Sequence, residues 1–238
     1  IETLPAGGAI TYGDTGNPQD LANYQVYVVC EPNTPFTLAE KTAIVSYVQG
    51  GGCLFMVADH SGADRNGDGY DAVEILNDLM GDNGVEANPF GFSFNTSTVT
   101  PVSVVNSATS DPLTHGAAGT ATAFQFSSGT TMAINNTETT HASVWQLNPT
   151  KVLALYGTFG RGRFVAIGDS SVMDDGTGAP GENLFDGWNV PSGNGIVTLN
   201  GTLWLLANGS VPDLAPSLVP AAVAGVTAST VTLNAVVK

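Results

Sequence analysis

The sequence is poor in basic residues and has no long apolar run. Its 238 residues include 6 Lys+Arg against 21 Asp+Glu, which gives a formal net charge of -15. A field of this sign repels phosphate backbones and anionic lipids, so we expect neither nucleic acid nor a membrane surface as a partner. The longest apolar runs, at 26–29 and 54–58, are strand-length and fall well short of the ~20 residues that a membrane helix needs.

Cysteine is also scarce, since only Cys30 and Cys53 are present. We expect Cys30 to end one strand and Cys53 to begin the next parallel strand, which would hold them roughly 16 Å apart at ~3.3 Å per residue. Both are therefore predicted to be buried free thiols. The few lysines, the abundant Gly, Thr, Ser and Asn, and an acidic loop predict an exported bacterial protein, secreted or periplasmic.

Residues 20–60 contain the clearest structural pattern, which is one β-α-β unit. Apolar strands are predicted at 25–30 and 53–58. The helix between them begins at a capping box formed by Thr37 and Glu40 and ends at the glycines 50–52. The two strands should be parallel neighbours joined by a right-handed crossover.

The remaining chain predicts further strands and two more helices. A second helix covers 71–80, and 85–150 reads as a β-rich insertion with short alternating strands at 123–126, 131–134 and 143–147. Strands at 152–158 and 163–168 form a tight hairpin. A last helix at 196–207 is expected to bury Leu199, Leu203 and Leu206 against the sheet.

The segment after residue 210 has a different composition. Three prolines between 211 and 220 predict an extended linker, since proline fixes the backbone and removes amide donors. The alternating pattern at 226–237 is either an added edge strand or the stub of a following β-sandwich domain. The main domain is therefore assigned to 1–210, and 211–238 is the linker with a terminal strand or stub.

Several stretches resemble the class I glutamine amidotransferase-like superfamily, particularly its trehalose-utilisation-type and gliding-motility-type branches. The resemblance is carried by Tyr-Val-Val-Cys-Glu-Pro at 27–32, by Gly-Gly-Gly-Cys-Leu-Phe-Met-Val-Ala-Asp-His at 50–60, and by Gly-Arg-Gly-Arg-Phe-Val-Ala-Ile-Gly-Asp-Ser-Ser at 160–171. It implies an α/β three-layer sandwich with a mainly parallel flavodoxin-like sheet and ligands at the carboxyl ends of the strands.

The sequence departs from this superfamily in two respects. The Gly-x-Cys-x-Gly turn and the His-x-Glu motif of true amidotransferases are absent, so we do not expect glutamine hydrolysis. Residues 1–24 offer a possible strand at 9–12 but no first helix. A missing N-terminal segment or a partner chain is therefore expected to complete the edge of the sheet.

A calcium loop is predicted between the second strand and the second helix. Asp64, Asn66 and Asp68 alternate before Gly69, which is the oxygen-ligand spacing of loops that wrap Ca²⁺. The Tyr70 carbonyl and Asp71 would complete the ligand set. The twelfth position is Ile75 instead of Glu, which excludes a standard EF-hand. The alternative is that these residues only form turns and that Asp71 only caps the helix.

A catalytic group is predicted where two strands end. An imidazole oriented by an aspartate could act as general base, and a serine beside it could act as nucleophile or substrate donor. Internally hydrogen-bonded or solvated side chains are the alternative. The catalytic candidates are Asp59, His60, Ser61, Asp169 and Glu31, and the substrate-binding candidates are Ser170, Ser171, His115 and Trp188.

These features lead to one leading hypothesis and one rival. The first is a secreted, calcium-supported hydrolase that acts on an extracellular glycan or ester, with His60 as base and Asp59 and Asp169 around it. The rival is a non-catalytic ligand-binding or scaffold module whose calcium only rigidifies the loop at 64–70. A metal-dependent phosphoesterase is disfavoured, because three arginines and three lysines make a basic patch hard to assemble.

Overall fold

The computed structural model describes residues 1–4, 8–100, 103–146, 150–178, 180 and 184–208. Within these ranges the α-helices are α1 (Leu38–Gln49), α2 (Ala72–Gly81) and α3 (Asn194–Leu206), with short 3-10 helices at Leu21–Asn23 and Ser170–Met173. The linker and the strand or stub predicted for 211–238 lie outside the described residues. No described helix combines the length and apolar character needed to cross a membrane.

Eight of the described strands form one mixed sheet, and two more form a separate hairpin. The strands are β1 (Val26–Cys30), β2 (Cys53–Val57), β3 (Phe92–Phe94), β4 (Ser103–Val105), β5 (His115–Gly116), β6 (Gly119–Thr120), β7 (Met132–Ile134), β8 (Thr140–Gln146), β9 (Val152–Phe159) and β10 (Gly162–Ile167). The α/β class is confirmed. The parallel part is restricted to β1, β2 and β10, because strands from the predicted insertion extend the other side of the sheet in antiparallel pairings.

Successive side chains of the central strands point alternately to the two faces of the sheet. In β2, Leu54 and Met56 face a core shared with α1 and α2, whereas Phe55 and Val57 face a second core shared with α3. All five residues of β2 are buried, as expected for a strand covered on both faces. Helices therefore lie on both sides of the sheet, as the three-layer expectation requires.

The first two helices begin as their sequences predict. Thr37 and Glu40 form the capping box of α1, and Asp71 and Glu74 form that of α2. Between the helices, the buried Lys41 donates to Asp78 at 2.8 Å. The tight hairpin between β9 and β10 is also present, with Gly162 opposite Phe159.

The predicted strand at 123–126 is wrong, because a helix end takes the place of a neighbouring strand. The amide of Gln125 donates to Asn194 Oδ1 at 2.8 Å, and Asn194 Nδ2 donates back to the Gln125 carbonyl at 2.7 Å. Phe124 and Phe126 are still buried. The alternating pattern therefore predicted the buried side chains correctly, but it also predicted a paired strand that is not present at 123–126.

The predicted buried face of α3 is wrong as well. Leu199, Leu203 and Leu206 are 43%, 42% and 41% exposed, whereas Val197 and Leu205 are buried. At Gly201 an added Cβ would meet Val165 of β10 at 3.4 Å, which is an ordinary contact distance. The helix therefore packs on the sheet through the face that carries Gly201, and the leucines lie on the other side.

Cys30 also departs from expectation, since it is exposed, whereas Cys53 is buried and both are free. Cys30 lies on β1, the strand at the edge of the sheet. Desolvation of the sulfur, with the charges of Glu31, Asp174 and Asp59, nevertheless raises the pKa of the Cys30 thiol to about 11. Cys30 is therefore protonated at neutral pH and a poor nucleophile.

The orientation of α3 predicts unequal effects for two substitutions of the same type. Leu205→Ala removes a buried side chain and should lower the free energy of unfolding by about 2–5 kcal/mol. Leu199→Ala removes a solvent-facing one and should change it by about 0.5 kcal/mol or less. Urea denaturation followed by circular dichroism measures both values. A larger loss for Leu199→Ala would show that the helix is oriented the other way.

Candidate functional site

The two strands predicted to deliver the site are direct neighbours. Strands β2 and β10 pair in parallel with Val57 opposite Ile167, and the Ala58 amide donates to the Ile167 carbonyl at 2.9 Å. On the other side of β2, the Glu31 amide donates to the Val57 carbonyl at 2.8 Å. The prediction that these strands end together is confirmed. We use the word rim for the residues that follow them, which are Glu31, 59–61 and 169–171.

Arg65 connects the rim carboxylates of two strands. Its Nε donates to Glu31 Oε1 at 2.6 Å, and its Nη2 donates to Asp59 Oδ2. The second oxygen of Glu31 accepts from Ser170 Oγ at 3.1 Å. Arg65 is a site residue that the sequence patterns did not predict. The available signal was a lone arginine inside an otherwise acidic loop, in a chain with very few cations.

Asp59 holds the backbone of His60 and not its ring. Asp59 Oδ1 accepts from the His60 amide at 2.6 Å, while His60 Nδ1 lies 3.0 Å from the Ser61 carbonyl. The expected aspartate-oriented imidazole is therefore corrected, because Arg65 takes the other Asp59 oxygen. Desolvation raises the pKa of Asp59; the His60 amide opposes this shift, and the charge of Glu31 adds to it.

Asp169 joins the end of β10 to a neighbouring loop. Only 1% of the residue is exposed, and its two oxygens accept from the amides of Ser171 at 2.8 Å and Ser128 at 3.1 Å. Ser171 Oγ in turn accepts from the Ser127 amide. Desolvation is the main cause that raises the pKa of Asp169 to about 6, and the charge of Asp59 adds to it.

The acidic loop is closed by its own hydrogen bonds. Asp64 accepts from the amides of Gly67 and Gly69, each at 2.8 Å, and Asp68 accepts from the Tyr70 amide at 3.0 Å. The Gly69 amide is the largest of the causes that lower the pKa of Asp64. Gly67 and Gly69 have φ values of 72° and 94°, which glycine adopts without strain. Asn66 Nδ2 lies 3.0 Å from Asp68 Oδ2.

Asp71 has the capping role that was the alternative to its prediction as a metal ligand. One of its oxygens accepts from the Glu74 amide at 2.9 Å, and the other accepts from the Gly62 amide at 2.6 Å. Both oxygens are thus used where the loop enters α2. Within the described ranges, no group of three or more acidic, histidine or cysteine side chains could hold a metal ion.

Two residues predicted to bind substrate, Trp188 and His115, contact other parts of the protein. Trp188 packs at the start of α3, where a Cβ added to Gly195 would lie 3.4 Å from its ring. His115 belongs to the β5–β6 hairpin, with its Nδ1 at 3.1 Å from Thr114 Oγ1. Both are half-buried. These contacts account for Trp188 and His115 without a ligand.

The carboxylates of the rim share one property, which is that their oxygens accept hydrogen bonds from the protein. Both oxygens of Glu31, Asp59 and Asp169 have protein partners. Because each oxygen accepts a hydrogen bond from a backbone or side-chain group, the orientation of each carboxylate is fixed. The arrangement is suited to holding strand ends and loops in fixed positions.

Comparison with known proteins shows the fold and no family. No protein-family model and no curated protein matches the sequence. Among solved structures, the N-terminal domain of mmIFT52 is 15% identical with a TM-score of 0.54, and the match covers 78% of each chain. A ThuA-like protein from Bacteroides uniformis is 13% identical with a TM-score of 0.43, over 79% of this chain and 71% of that one.

The predicted secreted or periplasmic location is corrected by a further structural neighbour. Cytoplasmic protein STM1381 from Salmonella typhimurium LT2 is 15% identical with a TM-score of 0.47, over 81% of this chain and 74% of that one. This neighbour is described as cytoplasmic, contrary to the predicted export, and the prediction of a secreted or periplasmic location is withdrawn. Amino-acid composition was its main basis, and composition responds to many pressures besides the compartment.

The buried Asp169 predicts a specific pH dependence of stability. Its pKa is about 6 in the folded chain against an ordinary value of 3.8. The folded state therefore binds more protons than the unfolded state in this range, and stability falls as the pH rises from about 4 to about 6. The contribution is about 3 kcal/mol, from 1.36 kcal/mol per pKa unit.

Urea denaturation of the wild type and of Asp169→Asn across this pH range measures the effect. The variant should lack this part of the decline, whatever its absolute stability. The exposed Asp186→Asn is the control for loss of a charge. If the free energy of unfolding changed with pH equally in the wild type and in Asp169→Asn, the raised pKa of Asp169 would be contradicted.

Proposed function

We propose that this chain is a non-catalytic ligand-binding or scaffold module whose rim is rigidified by the Arg65 ion pairs and by a calcium-supported loop at 64–70. The observation that carries the proposal is that each carboxylate oxygen of Glu31, Asp59 and Asp169 accepts a hydrogen bond from the protein itself. Because Asp59 binds the His60 backbone, the imidazole lacks the carboxylate that a catalytic dyad needs. The resemblance to gliding-motility-type domains agrees with a non-catalytic role.

The ligand of such a module is expected to be uncharged or cationic. The net charge of -15 disfavours anions. Tyr70 is 50% exposed on the loop that also carries Asp68 and Arg65. An exposed aromatic ring among polar side chains can stack on a sugar ring, as in a glycan, or on a cation.

The loop has the oxygen ligands for a weak calcium site. Asp64, Asn66, Asp68 and the Tyr70 carbonyl would hold the ion, and its charge would fix the loop conformation. Asp64 has a lowered pKa and is therefore anionic at neutral pH. With only two carboxylates in the set, affinity should be low, with a Kd on the order of 10⁻⁴ M.

Calcium binding can be tested by thermal unfolding with and without CaCl₂. At a free Ca²⁺ concentration about fifty times the Kd, the folded chain should gain about 2 kcal/mol. The gain should vanish in Asp64→Asn combined with Asp68→Asn, and it should persist in Asp14→Asn, whose carboxylate lies in another loop. An equal gain in the double variant would contradict the loop as the binding site.

The absence of catalysis is tested separately. The purified chain, with and without Ca²⁺, should not turn over a panel of chromogenic esters and glycosides. Turnover that disappears in His60→Ala, but persists in His141→Ala with an unchanged circular dichroism spectrum, would refute the non-catalytic proposal. Calcium binding with no turnover is the combined result expected here.

A hydrolase acting on a glycan or ester remains the second candidate, favoured by one observation. The pKa of Asp169 is about 6, so this carboxyl can exchange a proton near neutral pH. In that mechanism His60 would act as base and protonated Asp169 as acid, and the rate would fall as the pH rises through the Asp169 pKa. Against it stands the 1% exposure of Asp169, which keeps substrate away.

A further inference from the structure

The outer edge of β1 has an open row of backbone groups. The Gln25 carbonyl accepts from Cys53 and the Glu31 amide donates to Val57, so the odd-numbered residues of this strand face β2. By alternation, the amides and carbonyls of Val26, Val28 and Cys30 point away from the sheet. None of the described strands pairs with this side of β1.

An apolar groove follows the same edge. Its volume is about 710 Å³, and its walls come from both faces of the sheet, with Leu4, Ile10 and Leu21 on one side and Val26 and Leu206 on the other. Glu2 is the charged residue in its lining. A groove that straddles an open strand edge has the shape that an added strand fills.

The exposed leucines of α3 extend this apolar surface. Leu199, Leu203 and Leu206 lie at helical spacing on one stripe, and Val28 on the neighbouring strand is 52% exposed. A contiguous apolar patch beside an open edge invites aggregation unless something covers it. The surface therefore needs an apolar occupant with a strand-forming sequence.

Beyond residue 208 the chain continues from a position close to the groove. Leu206 lines the groove, and two residues later Asn208 Nδ2 donates to the carbonyls of Gly51 and Arg161. The thirty residues from 209 to 238 carry two charges, Asp213 and Lys238. Seventeen residues, the number from 209 to 225, are enough to cover about 20 Å or more. That distance exceeds the ~17 Å length of a five-residue strand, so residue 226 can reach either end of β1.

We propose that residues 226–237 add to β1 as an edge strand and cover the groove. The segment alternates, with Val231, Leu233, Ala235 and Val237 on one side. Those side chains would contact Leu203, Leu206 and Val28. The tail thereby supplies both the backbone partner of the open edge and the apolar cover of Leu203 and Leu206, and this inference is independent of the ligand-binding role.

Amide hydrogen exchange resolved by NMR tests the proposal in the intact 238-residue chain. The Val28 amide points outward and should exchange slowly. Val231→Asp combined with Leu233→Asp places charges on the apolar side of the tail and should speed Val28 exchange by about tenfold or more. Thr230→Asp combined with Thr232→Asp alters the opposite side and should have a much smaller effect.

Two further results decide the case. A chain ending at Asn208 should also lose protection at Val28 while retaining it at Phe55 in the sheet interior. Equal Val28 exchange in the intact chain and both double variants would overturn the proposal. Protection that rises with protein concentration, together with a dimeric mass by light scattering, would also overturn it and assign the edge to a second copy.

Discussion

The placement of Arg65 between Glu31 and Asp59 is the interaction on which the rim depends. Asp59 is 4% exposed at the end of β2, and a carboxylate so deeply desolvated requires a counter-charge or a proton. Arg65 provides that charge from the acidic loop and binds the end of β1 as well. The loop, two strand ends and Ser170 are thereby joined into one network.

This constraint explains why a rim rich in catalytic residue types need not be catalytic. Open α/β sheets collect polar side chains at the carboxyl ends of their strands, because the chain turns there and needs caps. Asp59, Asp71 and Asp169 each accept backbone amides at such a turn. Acidic residues at these positions are therefore required by the fold before any reaction is considered.

The sequence was sufficient to predict local elements and the pairing of central strands. Capping boxes at Thr37 and Asp71 and the apolar runs of β2 and β10 are short-range signals, and each is present as expected. The buried face of α3 was not predictable in the same way. Two apolar stripes competed there, and the packing of the helix on the sheet decided between them, which is a property of tertiary structure.

The partners of each site side chain were also beyond the sequence. Residue types and spacing placed Asp59 and His60 together, but which atom each oxygen binds depends on where Arg65 reaches. A double-mutant cycle with Arg65→Met and Asp59→Asn measures the coupling directly. Because the Arg65 side chain is 57% exposed and solvent screens the pair, we predict a coupling of about 1 kcal/mol in the free energy of unfolding. A coupling indistinguishable from zero would contradict the role of Arg65 as the organiser of the rim.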